Sequence, residues 1–298
     1  MSDLSQYLGK VTVTDGAWGT LLQQSGLTPG MCPDAMNVEN APAVLAVAES
    51  YVRAGAGVIL TNTFRSNRFV LEHWKLGDRA AELAQNGAAL SRKAAGDRAA
   101  VFASIGPTGK IVMMDEVPRE RIYEAFAEQA AGCARGGADA IVCETFSELD
   151  ELLLAVSAAR ERTHLPVVAC MTFDSGPDRC STMMGTTPED LARAAVEAGA
   201  AAVGANCGGG PEHFVPVARR LRKTTALPIW LKPNAGLPLV RDGQTVFPMG
   251  PEAFARFVPE MIAAGANFIG GCCGCGPQHI RAVWRAVSAT RGKGAMND

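Results

Sequence analysis

Two short runs hold the residues best suited to chemistry. Gly204-Ala205-Asn206-Cys207 ends in a thiol, and Gly270-Gly271-Cys272-Cys273-Gly274-Cys275 begins its three cysteines 65 residues further on. Three thiolates around one ion, with the fourth tetrahedral position open, form a catalytic zinc arrangement. A closed structural site would instead show two Cys-x-x-Cys pairs. The reading is therefore Cys207, Cys272 and Cys273 as ligands of Zn2+, with Gly270, Gly271 and Gly274 letting the backbone turn both neighbours toward the ion. Cys275 has a less suitable spacing and is left out. A substrate thiol in the open position would be held as thiolate, whereas a free thiol of pKa about 8.5 is only a few per cent ionised near neutrality. On spacing alone two plainer readings stay open: a strained Cys272–Cys273 disulfide, and a glycine loop that holds phosphate.

Asp15 and Glu144 each follow an apolar run. Either carboxylate could cap the next helix, a role that suits Asp15 better than Glu144. Their functional reading is to hold a cationic group, such as an amino-acid ammonium, beside the metal. Asn62, Thr63, Ser104 and Asn234 are weaker candidates for polar pocket lining. Lys232, in the run Trp230-Leu231-Lys232-Pro233-Asn234, raises a different class of enzyme, because a Schiff-base lysine would mean lyase or aldolase chemistry. An ion pair supporting the rim is the preferred reading, since aldolase chemistry leaves the cysteines without a task. A third class, a thiol redox or metal-sensing module, would use Cys272 and Cys273 as a reversible disulfide. His73, His164, His213 and His279 all fall in helix-like or loop contexts.

The elements that position these residues show as an internal repeat. Gly-Ala followed by a short apolar run begins at Gly55, Gly137, Gly199 and Gly265, with spacings of 82, 62 and 66 residues. Each is preceded by a helix-like segment, so the glycine serves as a left-handed cap and the apolar run as a buried parallel strand. One βα unit takes roughly 30 residues, so each interval has room for a second strand. Residues 99–107, 165–173 and 227–234 supply them, and residues 10–16 complete eight. Eight strands alternating with helices predict a single (β/α)8 TIM barrel over residues 1–298. An open doubly wound sheet would favour a G-x-G-x-x-G turn after the first strand, where this chain has Asp15-Gly16-Ala17-Trp18-Gly19-Thr20. The final helix, at 277–290, leaves no room for a second domain of ordinary size. Barrel active sites lie at the C-terminal strand ends, where Asp15, Asn62, Thr63, Ser104, Glu144, Cys207, Lys232, Asn234, Cys272 and Cys273 all fall.

Composition narrows the partners. The chain has 298 residues, 48% of them hydrophobic, and a net charge of -2 without a block of like charge. That gives no support to a nucleic-acid or anionic-membrane partner. The first ten residues lack the apolar core of a secretory signal, and no apolar run approaches the roughly 20 residues of a membrane span. The expected location is cytoplasmic. Nine cysteines, an odd number, argue against a disulfide framework there, and Cys143 and Cys170 read as plain core residues.

Taken in order, residues 15–20 (DGAWGT), 61–64 (TNTF), 104–107 (SIGP), 144–146 (ETF), 204–207 (GANC), 232–236 (KPNAG) and 270–274 (GGCCG) resemble the zinc-dependent homocysteine S-methyltransferase family, over about residues 8 to 290. The pairing of GANC with GGCCG is the specific part. The resemblance implies a (β/α)8 barrel with zinc on Cys207, Cys272 and Cys273, and contacts from Asp15 and Glu144 to the amino-acid part of homocysteine. It also implies backbone groups near 104–107 at the substrate carboxylate, and methyl transfer to the metal-held thiol to give methionine. The opening DGAWGT is more like the methionine synthase barrel than the betaine and S-methylmethionine branches. The donor is then a small methylated molecule or a methylated corrinoid protein.

Overall fold

The structure is a computed structural model and describes residues 4–241 and 244–294. Parallel strands can be joined only by long crossovers, and the helix-like segments of the sequence supply them. The strands are β1 (Thr12–Val13), β2 (Val58–Ile59), β3 (Ala100–Ile105), β4 (Ala140–Phe146), β5 (Val167–Met171), β6 (Ala202–Cys207), β7 (Ile229–Pro233), β8 (Leu239–Arg241), β9 (Gln244–Val246) and β10 (Ala266–Ile269). Eight of them form one sheet in the order β1-β10-β7-β6-β5-β4-β3-β2. A parallel bridge between Thr14 and Val58 joins its two ends and completes the (β/α)8 barrel. The repeat glycines act as anticipated: Gly55 closes the helix Ala41–Ala54 with φ 101°, and its three counterparts also have positive φ. The antiparallel hairpin β8–β9 was not among the expected elements; it is an excursion between β7 and the last barrel strand.

Side chains alternate faces along a strand, and this separates two cores. Outward residues such as Val101, Ile141, Cys143, Val203 and Leu231 pack beneath the helices. Inward residues Phe102, Val142, Cys170, Trp230 and Phe268 fill the barrel, with Trp230 against Phe268 at 5.1 Å and stacked on Phe102 at 5.8 Å. Cys143 and Cys170 are thus core residues, as expected, and burial pushes both thiols well above the ordinary range.

The same alternation builds the site. Two positions beyond an inward core residue, the chain again faces inward, one layer nearer the mouth. Ser104 follows Phe102, Glu144 follows Val142 and Lys232 follows Trp230. A polar layer therefore lies on an aromatic floor. Among the described residues no helix is long and apolar enough to cross a membrane.

Candidate active site

Cys207 ends β6 in the left-handed region, φ 65°, and Gly208 follows at φ 67°. That turn delivers its sulfur to the loop after β10, where the Sγ atoms of Cys207, Cys272 and Cys273 lie within 4.8 Å of one another. All three are half-buried free thiols, so Cys272 and Cys273 form no disulfide. Asn234 fastens the two halves together: its Oδ1 accepts from the Cys273 amide at 3.0 Å, and its Nδ2 donates to the Gly208 carbonyl at 3.0 Å and reaches Cys207 Sγ at 3.8 Å. The Cys272 amide donates to the Pro233 carbonyl at 2.7 Å.

The glycines of this loop do two different things. Gly274 has the positive φ, 79°, that a turn requires. Gly271 is needed for close approach instead, since a Cβ there would sit 2.3 Å from the Cβ of Cys275. Cys275 packs beneath the loop, fully buried, with its sulfur 3.7 Å from the Pro233 carbonyl and outside the thiol cluster.

The cluster's electrostatics favour losing protons in turn. Hydrogen bonds from Cys272 and Cys273 hold the Cys207 thiol well below the ordinary range. The thiolate they stabilise in turn pushes both of them up. Three convergent sulfurs, half-exposed toward a cavity of about 310 Å³, are a soft donor set with an open side. The residues present fit a zinc ion.

Glu144 borders the same cavity. Its Oε1 accepts from Ser104 Oγ at 2.5 Å, and burial raises its pKa against the opposing pull of Lys232 and Ser104. Behind it, Thr145 adopts φ 67°, and the Asn206 side chain grips that turn, accepting from the Thr145 amide and donating to its hydroxyl, both at 2.7 Å.

Asp15 is placed differently. It is fully buried, and its two oxygens take three donors from within the protein. Lys232 Nζ meets Oδ1 at 2.5 Å, while Trp18 Nε1 and the Leu60 amide both donate to Oδ2 at 2.7 Å. Lys232, not Asp15, borders the cavity. The ion pair expected of Lys232 therefore exists, but inside the barrel rather than on its rim. Burial works against the charged ammonium, yet Asp15 and Glu144 outweigh it and hold the lysine pKa above its ordinary value.

The remaining expected residues divide. Asn62 borders the cavity, but its amide donates to the Pro33 carbonyl at 2.7 Å and to Asn37 Oδ1 at 2.9 Å, tying two loops together. Thr63 is fully buried, with its hydroxyl 2.7 Å from the Ser104 carbonyl. The cavity walls also include Trp18, Phe64, Arg65 and Asp34, which the sequence reading did not single out. Trp18 had a signal, since it stands three residues after Asp15 at a strand end. Asp34 had none, lying in a loop far from any strand.

The fold and the site define a class of protein, a (β/α)8 barrel with a cluster of three thiols and a carboxylate at its C-terminal mouth. The chain matches the homocysteine S-methyltransferase family over residues 12–287. It belongs to that family. Methionine synthase of Mycobacterium tuberculosis is 34% identical over 299 residues, covering 94% of this chain and 25% of the relative. Methionine synthase of Mycobacterium leprae is 33% identical, covering 96% and 25%. The chain spans about a quarter of the length of these relatives. Among solved structures, the metallated form of the homocysteine methyltransferase MmuM from Escherichia coli superposes with a TM-score of 0.77 at 22% identity, over 93% of this chain and 96% of that one. Its oxidised form gives 0.75 at 23%, over 92% and 94%; both are likenesses of fold.

Proposed function

We propose that the protein methylates the thiol of homocysteine to give methionine, with zinc held by Cys207, Cys272 and Cys273. The observation that carries this reading is the convergence of three thiols from two strand ends on a cavity that also exposes Glu144. Zinc bound there supplies Lewis acidity that lowers the pKa of an acceptor thiol while the sulfur ligands keep that thiol nucleophilic.

The chain's own residues do the rest. Glu144, with one oxygen held by Ser104, turns the other to the acceptor's ammonium. Asn234 fixes the mutual position of Cys207 and Cys273. Asp15 acts from behind, fixing Lys232 and Trp18. Thr63 holds the Ser104 carbonyl, and Asn62 ties in the neighbouring wall at Pro33 and Asn37. Trp18 and Phe64 shield the acceptor sulfur from water, which strengthens every charge interaction inside. The acceptor releases its thiol proton to solvent on binding; its sulfur then attacks the methyl carbon, and the bond from that carbon to the donor breaks with its electron pair leaving on the donor. The donor is a small sulfonium or ammonium compound, or a methylated corrinoid protein.

A lyase mechanism through Lys232 loses its footing, because a lysine held charged by Asp15 and Glu144 is a poor Schiff-base nucleophile. The test is methionine formation by reduced, zinc-loaded protein given homocysteine and, in turn, S-methylmethionine, betaine, methylcobalamin and a methylated corrinoid protein. Turnover with one of them is expected. Silence with all four, in protein holding one zinc per chain, would overturn homocysteine as acceptor.

A further inference from the structure

We infer that Asn206 is a positioning residue for the metal: it ties the turn that delivers Cys207 to a bulge two strands away, and so sets the direction of the lone sulfur from β6. The inference rests on the metal reading proposed above. Among the described residues, six other than glycine have positive φ, and of these only Thr145 and Cys207 border the cavity. Thr145 is the one β-branched residue of the six, the type for which a positive φ is a genuine outlier. Strain of this kind persists only where the surroundings over-determine it, and it gathers at functional sites. Here both left-handed residues are tied to Asn206, one through its side chain and one through the chain itself.

The arrangement begins where the sheet's own hydrogen bonds stop. The β5–β6 ladder ends at the Met171–Ala205 pair, and the β4–β5 register slips between Cys143 and Phe146, where an extra residue forms a bulge. Beyond these points side chains take over. Asn206 follows Gly204 on the inward row of β6 and is fully buried. An amide offers a donor and an acceptor side by side. Asn206 spends both on Thr145, reaching across β5: Oδ1 accepts from the Thr145 amide and Nδ2 donates to its hydroxyl, both at 2.7 Å. From the end of β5, the Thr172 hydroxyl donates to the Asn206 carbonyl at 3.1 Å. The residue before Cys207 is thus fixed at its side chain and at its carbonyl. The residue after it is confined as well, since a Cβ on Gly208 would lie 3.2 Å from Cβ of Asp174 and 3.3 Å from Cγ2 of Thr172. Cys272 and Cys273 are neighbours on one loop and share its placement. The direction of Cys207 therefore decides whether three sulfurs converge.

The test reads zinc affinity by competition with a chelator of known strength. The sulfur-to-metal absorption of cobalt(II)-loaded protein reports how many thiolates reach the ion, and a thermal melt reports stability. Asn206→Ala should weaken zinc about 10- to 100-fold, the range seen when a residue that orients a metal ligand is removed, and should lower the cobalt absorption per bound ion. In Asn206→Ala/Thr145→Gly the melt should partly recover, because glycine accepts the positive φ, while zinc affinity stays low. Thr145→Ser keeps both partners of Asn206 and should bind zinc as wild type does. Unchanged affinity in Asn206→Ala overturns the inference. So does affinity that returns together with stability in the double variant, since Asn206 would then only support the fold. Should Asn206→Ala fail to fold, Thr172→Val removes just the donor to the Asn206 carbonyl. It should weaken zinc about 2- to 10-fold, the scale of one hydrogen bond, and wild-type affinity there overturns the inference equally. Wild type that holds no zinc is a separate outcome, which removes the metal reading and this inference with it.

Discussion

Cys207 reaches the other two thiols only because it ends its strand at φ 65°, with Asn234 spanning the gap to Cys273. Removing its sulfur leaves two adjacent ligands from one loop, too few for a tetrahedral ion. Cys207→Ala should drop bound zinc from one per chain to near zero after dialysis, with an unchanged far-ultraviolet circular dichroism spectrum; retained stoichiometric zinc would refute the ligand set. Glu144 is the second residue with a separable effect. Glu144→Gln keeps a partner for Ser104 but removes the charge that faces the ammonium. The KM for homocysteine should rise roughly 10-fold or more with a smaller change in kcat, the pattern of lost ground-state binding. A fall in kcat at constant KM would count against an ammonium contact. The cysteines and Glu144 were legible because residue type and strand-end position coincide. The enclosure of Asp15 was not, because it depends on a pairing across 217 residues and on which of two buried charges lies nearer the cavity.

Strand ends and the loops beyond them hold the less predictable parts of the site. Asn206 is buried, and its amide secures the left-handed Thr145 behind Glu144. Asn206→Ala should cost about 2 kcal/mol, the scale of leaving buried polar partners unpaired. Adding Thr145→Gly should recover part of that in a thermal melt, since glycine tolerates the positive φ. No recovery would mean the turn is not strained. A second tie joins the loops after β1 and β2. Asp34 Oδ1 accepts from the Ser66 hydroxyl at 2.5 Å and from the Arg65 amide at 3.1 Å, and burial raises its pKa to about 6. The folded protein therefore binds this proton more tightly than the unfolded chain. The contribution is fully present below the unfolded value near 4, and is lost as pH rises through about 6, up to about 3 kcal/mol for a shift of this size. An asparagine there accepts the same two hydrogen bonds without ionising. The stability of Asp34→Asn relative to wild type should thus increase between pH 4 and 7 in urea titrations; a flat difference would contradict a buried, protonating carboxylate. The strands themselves were readable, because each Gly-Ala cap and apolar run states its own geometry. The Thr145 turn, the Asp34 tie and the β8–β9 hairpin were not, since each depends on partners distant in sequence or on an excursion that the eightfold repeat does not require.

For the molecule as a whole, the site lies next to the seam where the barrel closes. β10 pairs with β1 on one side and β7 on the other, and the single bridge from Thr14 to Val58 completes the circle. Cys272 and Cys273 follow β10 directly, while Cys207 ends β6, so an ion shared by the three ties strands on either side of β7. The unfolded chain keeps two of these sulfurs adjacent and the third 65 residues away, and so would bind such an ion far more weakly than the folded barrel. Ligand that prefers the folded state stabilises it by about 4 kcal/mol at a thousandfold excess over its Kd. For a chain of 298 residues, that corresponds to a rise in Tm of about 6 °C. Scanning calorimetry should show this shift between chelator-treated and zinc-loaded wild type, and none for Cys207→Ala. Equal shifts in both proteins would place the stabilising ion elsewhere. No shift in either would mean that the three thiols carry no tightly held metal, and the activation of the acceptor thiol would then need another source.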